Sequence, residues 1–125
     1  MNEIQGIATL RIHDGKLDEF KGVVSQFMEV VRTLNAGTLQ YEVYFNHDQT
    51  ERLVLERYRD VPSMLLHQKN SEGLMGALSK TCTGSGVACG KATPELMKAF
   101  EGSPVRLFSQ YQGFEAEIPA GVRRE

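Results

Sequence analysis

Four side chains in this sequence could move a proton or hold a small anion: His67, Glu56, Tyr41 and Tyr58. A histidine titrates near neutrality and small environmental changes tune it, which makes His67 a candidate general base. Glu56 alternates with Val54 and Tyr58, so the three share one face of an extended segment. A carboxylate on an otherwise apolar face needs a partner. It orients His67, serves as the base itself, or pairs with an arginine as an ordinary sheet residue. The hydroxyls of Tyr41 and Tyr58 are suited to bind a phenolate oxygen, although strand tyrosines also serve as core residues whose hydroxyl reaches the edge. Phe27 and Met75, with Met28 and Leu74, either line an apolar cavity for a ring-shaped ligand or fill the core. His13 and His47 fall at a strand end and in a turn and receive no role.

Sharper motifs fail on inspection. The run from Gly84 to Ala92 resembles a phosphate loop, but Ser85 stands where its first glycine belongs and Ala92 where a magnesium-holding Ser or Thr belongs. Cys89 likewise occupies the last glycine position of a dinucleotide fingerprint. Cys82 and Cys89 have no nearby histidine pair, so metal-ligand spacing is absent. Without an export signal the two thiols are read as reduced and unpaired. The expectation is a site with no metal and no cofactor.

The elements that must position these side chains follow from periodicity. Gly6 to His13 alternates as a strand, and Asp14-Gly15 turns the chain. Leu17, Phe20, Val24, Phe27, Met28, Val31 and Leu34 then recur at the spacing of one helix face. Asp18 and Glu19 suit its N-terminal end, and Asn35-Ala36-Gly37 its stop. Thr38 to Asn46 alternates strictly, which predicts Leu39, Tyr41, Val43 and Phe45 on one face. A turn at His47 to Thr50 leads into a strand from Arg52 to Arg59. Asp60 caps a helix with Pro62 in its first turn, carrying Met64, Leu65, Leu66 and His67. A second helical piece is expected around Leu74 to Leu78. Thr81 to Thr93 has no apolar period and reads as a long loop. Thr93-Pro94-Glu95 opens a short helix ended by Gly102, and Val105 to Gln112 forms the last strand. The expected order is that of an α+β, ferredoxin-like βαββαβ unit with an elaborated second crossover. Residues 1–116 make a single domain, and Glu117 to Glu125 a surface arm or frayed tail.

Bulk properties exclude several classes. A chain of 125 residues supports one hydrophobic core, and 41% hydrophobic with 24% charged residues is an ordinary globular composition. A net charge of −2 with scattered basic residues lacks the footprint of a nucleic-acid binder. No apolar run reaches the roughly 18 residues of a membrane span and the N-terminus lacks a leader pattern, so a cytoplasmic location is expected.

Three stretches carry a family resemblance. An opening strand leads through a glycine turn into a long helix; Gly37-Thr38-Leu39-Gln40-Tyr41-Glu42-Val43-Tyr44 follows; and Leu53-Val54-Leu55-Glu56-Arg57-Tyr58 runs into a helix bearing His67. Together they resemble the antibiotic biosynthesis, or quinol, monooxygenase family of dimeric α/β barrels, over roughly Ile4 to Asn70 and again at the final strand. The family's tryptophan at the end of the third strand is replaced here by Tyr58.

The resemblance implies a homodimer in which two sheets pack together, with a ligand cavity between sheet and helices in each protomer. It implies cofactor-independent oxidation of a small aromatic or quinol substrate by molecular oxygen. Such a substrate gives an electron to oxygen far better once deprotonated, so the protein supplies a base, donors for the anion and a dry pocket. His67 and Glu56 would then be catalytic, and Tyr41, Tyr58, Phe27 and Met75 would bind substrate. The alternatives are a non-catalytic ligand-binding or stress-associated dimer and, from other branches of the family, haem binding or degradation.

Overall fold

Strand β1 (Ile4–Ile12) lies in the middle of a five-stranded sheet in this computed structural model, which describes residues 2–116. The tail expected at Glu117 to Glu125 falls outside the described residues. After β1 come α1 (Leu17–Leu34), β2 (Thr38–Phe45), β3 (Glu51–Tyr58), α2 (Val61–Ser79), β4 (Cys82–Gly90), α3 (Pro94–Ala99) and β5 (Arg106–Ser109). The strand order is β2-β3-β1-β4-β5. All neighbours are antiparallel except β4 and β5. The first four strands with α1 and α2 form the ferredoxin-like βαββαβ unit predicted from the sequence.

The stretch predicted as a loop, Thr81 to Thr93, contains β4, the fourth strand of that unit. The second crossover is therefore α2 alone, and the additional elements α3 and β5 follow the fourth strand. Glycine explains why periodicity missed β4. A Cβ on Gly84 would collide with the carbonyl oxygen of Thr9 on β1, and one on Gly86 would lie 3.2 Å from the Ala8 Cβ. The strands approach too closely there for the side chains that normally announce a strand.

Helix α2 also differs from expectation, since it is one continuous helix of 19 residues. Its buried face carries Ser63, His67 and Ser71 among Val61, Met64 and Leu78, while Leu65, Leu66 and Met75 are exposed. Polar residues inside and leucines outside invert the usual amphipathic signal. Asp60 caps the helix, its carboxylate accepting from the Ser63 backbone N–H at 2.9 Å and the Ser63 hydroxyl at 2.6 Å.

The helices pack on one face of the sheet. One core cluster joins Ile12 and Cys82 with Phe20, Val23, Phe27 and Leu78; another joins Ile4 and Tyr58 with Val61, Met64 and Leu96. The other face carries exposed Tyr44, Leu53 and Phe108 and half-buried Ile7, Leu55 and Val87, with no described element over it. Among the described residues no helix is long and apolar enough to cross a membrane.

Candidate active site

A β-bulge decides which residues enter the space beneath the helices. Thr38 pairs with Tyr58, but Gln40 pairs with Arg57, so Leu39 is an extra residue between them. Beyond the bulge Tyr41 stands opposite Glu56, Val43 opposite Val54 and Phe45 opposite Arg52. Opposed residues share a face, so the bulge turns Tyr41 inward and leaves Leu39 exposed. Strict alternation in the sequence places Leu39 and Tyr41 on the same side, and the bulge separates them.

Four side chains meet where β2, β3 and α2 converge. The His67 ring sits between two tyrosines, with centroids 5.4 Å from Tyr41 and 5.5 Å from Tyr58. Its Nε2 is 3.6 Å from Glu56 Oε1, which also accepts the hydroxyl of Tyr58. On the other side of the ring, Asn35 Nδ2 lies 2.7 Å from His67 Nδ1. Asn35 Oδ1 accepts from Asn70 Nδ2 at 2.8 Å, which sets the Asn35 amide with its NH2 group toward the histidine. His67 Nδ1 is then an acceptor, and its proton sits on Nε2, facing Glu56.

Burial lowers the His67 pKa from its ordinary value of 6.5, against the attraction of Glu56. The imidazole is neutral at pH 7. Burial, reinforced by the Glu56 charge, raises the Tyr41 pKa to about 12, with the Arg52 guanidinium pulling the other way. Burial and Glu56 push Tyr58 up as well. Both phenols therefore remain donors at neutral pH.

A cleft of about 460 Å³ opens beside this cluster, lined by Tyr41, Glu56, His67, Phe27 and Met75 together with Arg52, Val54 and Gln68. Tyr58 lines a smaller adjoining cavity of about 140 Å³ with Glu56 and His67. The floor of the two spaces is Gly6 and Ala8 of β1 with Gly84, Gly86 and Ala88 of β4. None of these projects beyond a Cβ, and the missing side-chain volume is the space itself. The cleft has the size and largely apolar lining of a small-molecule site. All six residues singled out from the sequence are thus brought together, while Met28 and Leu74 lie outside the lining and Leu74 packs on the core.

Three contributors were not anticipated. In the sequence Asn35 reads only as part of a helix stop, Arg52 only as the start of a strand, and the glycines of β4 only as loop. Nothing local distinguishes a helix-ending asparagine that orients a histidine from one that merely ends the helix. Among the described residues no group of three or more His, Cys, Asp or Glu side chains is arranged to hold a metal ion.

The profile of the antibiotic biosynthesis monooxygenase family matches residues 6–73, more than half of the chain. Among curated proteins no significant match is found. Of solved structures, MupZ from Pseudomonas fluorescens superposes with a TM-score of 0.81 at 22% identity, over 98% of this chain and 100% of that one. A conserved protein from Methanosarcina mazei Go1 superposes at 0.64 with 19% identity, over 70% of this chain and 91% of its own. SnoaB, a cofactor-independent oxygenase from Streptomyces nogalater, superposes at 0.62 with 14% identity, again over 70% and 91%. At these identities the likenesses establish the fold. The match with MupZ extends over the segment after β4.

Proposed function

This chain belongs to the antibiotic biosynthesis monooxygenase family, and from that premise we propose that it is a cofactor-independent monooxygenase acting on a small phenol or quinol in the cleft beside Glu56. The observation that carries the proposal is the convergence of one carboxylate, one neutral imidazole and two protonated phenols on an apolar cleft and the cavity adjoining it. The substrate supplies all four electrons that reduce O2. A hydroquinone and O2 give a hydroxyquinone and water, one oxygen atom entering the ring.

The chain's own part is proton transfer, anion binding and exclusion of water. Glu56 is the base in this reading, and His67 positions it, the reverse of the assignment favoured by the sequence. His67 Nδ1 is occupied by Asn35 and its Nε2–H faces Glu56, so the lone pair available to a substrate hydroxyl belongs to the carboxylate. Tyr41, with its hydroxyl protonated and half-buried, is suited to donate to the phenolate that results. Tyr58 holds Glu56 through its hydroxyl. Phe27 and Met75 supply apolar walls.

A homodimer is part of the same reading. Its support is the uncovered sheet face bearing Ile7, Tyr44, Leu53, Leu55, Val87 and Phe108. An exposed apolar sheet face of this kind is relieved by packing on its twin.

The test is oxygen consumption by metal-stripped protein against hydroquinones, naphthoquinols and polyphenols. Substrate-dependent uptake with one oxygen atom of ¹⁸O2 found in the product supports the proposal. Absence of uptake across the panel, with aromatics still raising the melting temperature, would make this a ligand-binding member of the family.

A further inference from the structure

Arg52 is the charged residue of the cleft that the proposed chemistry does not use. It is 5% exposed, and its Nε is buried without a hydrogen-bond partner. No carboxylate among the described residues forms an ion pair with it, whereas Arg32, Arg57 and Arg59 each have one. Its guanidinium carbon stands 5.2 Å from the centroid of Phe20, and its polar neighbour is the Tyr41 hydroxyl. That phenol oxygen leaves the Nε–H without an acceptor. A guanidinium does not shed its charge on burial, so a buried arginine without an anion carries an uncompensated desolvation penalty.

We propose that Arg52 is the anion-binding end of the cleft and that its ligand is an aromatic monocarboxylate. The observations converge on that class. Among the described residues, Arg52 is the one Lys or Arg side chain in the cleft lining and Glu56 the one acidic side chain. A single cation matches a single negative charge, and the planar fork of a guanidinium matches a carboxylate. Glu56 repels an anion placed beside it, which sets the ligand's direction: carboxylate toward Arg52, reacting ring toward Glu56. Arg52 and Glu56 are both inward-facing on β3 with Val54 between them, their backbone positions about 13 Å apart along the strand. A ligand of one or two fused rings lying over Val54 and the small-residue floor would set its acid group toward Arg52 and its hydroxyl toward Glu56.

The inference deepens the reading of the cleft as a substrate site, and its test is read by binding, separately from turnover. The probe pair is 6-hydroxy-2-naphthoate and 6-hydroxy-2-naphthamide, titrated calorimetrically at pH 7.5 into the wild-type protein, Arg52→Met and Arg52→Lys. The acid is expected to bind wild type at least tenfold more tightly than the amide. Arg52→Met, if folded by circular dichroism, loses that preference, and Arg52→Lys keeps part of it. Equal binding of the two probes to wild type, or binding of neither, overturns the proposal whether or not the variants fold. Retention of the acid preference in Arg52→Met overturns it too. Acid-selective binding without oxygen uptake on any phenol would leave this assignment standing and remove the monooxygenase; uptake without acid selectivity would do the reverse.

Discussion

Asn35 and His67, 32 positions apart, meet at 2.7 Å between the amide nitrogen and Nδ1. This contact gives the histidine its tautomer and directs Nε2–H toward Glu56 at 3.6 Å. The residue at the end of α1 thereby sets the protonation pattern of a site built on β3 and α2.

The first consequence concerns the roles of Glu56 and His67. Glu56→Gln keeps the shape and removes the base, and the turnover rate with any active quinol is expected to fall by about 10²–10⁴-fold. Asn35→Leu, which removes the nearer donor to Nδ1 and leaves the Ser71 hydroxyl at 3.5 Å, is expected to cost less, on the order of tenfold, and to alter the ¹⁵N shifts of the His67 ring. A Glu56→Gln enzyme at near wild-type rate, with His67→Ala inactive, would return the role of base to His67.

Stability should depend on pH through His67. Its folded pKa lies below the unfolded value of 6.5, so below that pH the unfolded chain binds more protons than the folded one. The sign follows from linkage: full stability above about 6.5, lost as pH falls toward the folded pKa. Urea unfolding between pH 8 and pH 5 should show this decline, and His67→Phe should flatten it. An identical slope in the variant would assign the decline to other groups.

Tyr41 and Tyr58 should titrate late. With the Tyr41 pKa raised from 10.0 to about 12 and Tyr58 also raised, the folded state holds protons that the unfolded state has lost. Their contribution is complete below about pH 10 and is lost as pH rises through the folded values. Absorbance at 295 nm should show a late component that shrinks in Tyr41→Phe and in Tyr58→Phe. Ionisation of every tyrosine near pH 10 in the folded protein would contradict the burial of the site.

The glycines of β4 should separate folding from binding. Gly84→Ala drives a Cβ into the Thr9 carbonyl, against backbone that cannot yield, and should destabilise by about 1–3 kcal/mol. A Cβ on Gly86 would lie 3.2 Å from both the Ala8 Cβ and the Ile7 carbonyl oxygen, tight but short of the collision at Gly84. Gly86→Val should therefore cost less stability while filling the cleft floor and weakening aromatic ligands at least tenfold. Calorimetric titration and urea unfolding of both variants check the pair.

The uncovered sheet face predicts the oligomeric state. Light scattering at micromolar concentration should give a dimer for wild type. Leu53→Lys, at a position exposed on that face, should shift it toward monomer. Leu65→Lys, on the outer side of α2, should leave it unchanged. A wild-type monomer would remove the dimeric part of the proposal.

Local periodicity makes much of this protein legible in its sequence. Helix α1 shows itself by its repeat of apolar residues from Leu17 to Leu34, β2 and β3 by alternation across a polar turn, and α3 by Thr93 and Pro94 at its start. Glu56, Tyr58 and His67 were legible as candidates because a carboxylate on an apolar strand face and a titratable ring on the next helix are each local facts. Other features depended on partners distant in sequence. The bulge at Leu39, which turns Tyr41 inward, exists only in pairing with β3. Strand β4 is recognisable only against β1, because close backbone approach replaces its large side chains by glycine. The inward polar stripe of α2 becomes sensible only when Asn35 and Glu56 stand opposite it. Periodicity reports which face of an element is buried, but the identity of the group across from it is set by packing, and that packing makes Asn35, Arg52 and a floor of glycines parts of one site.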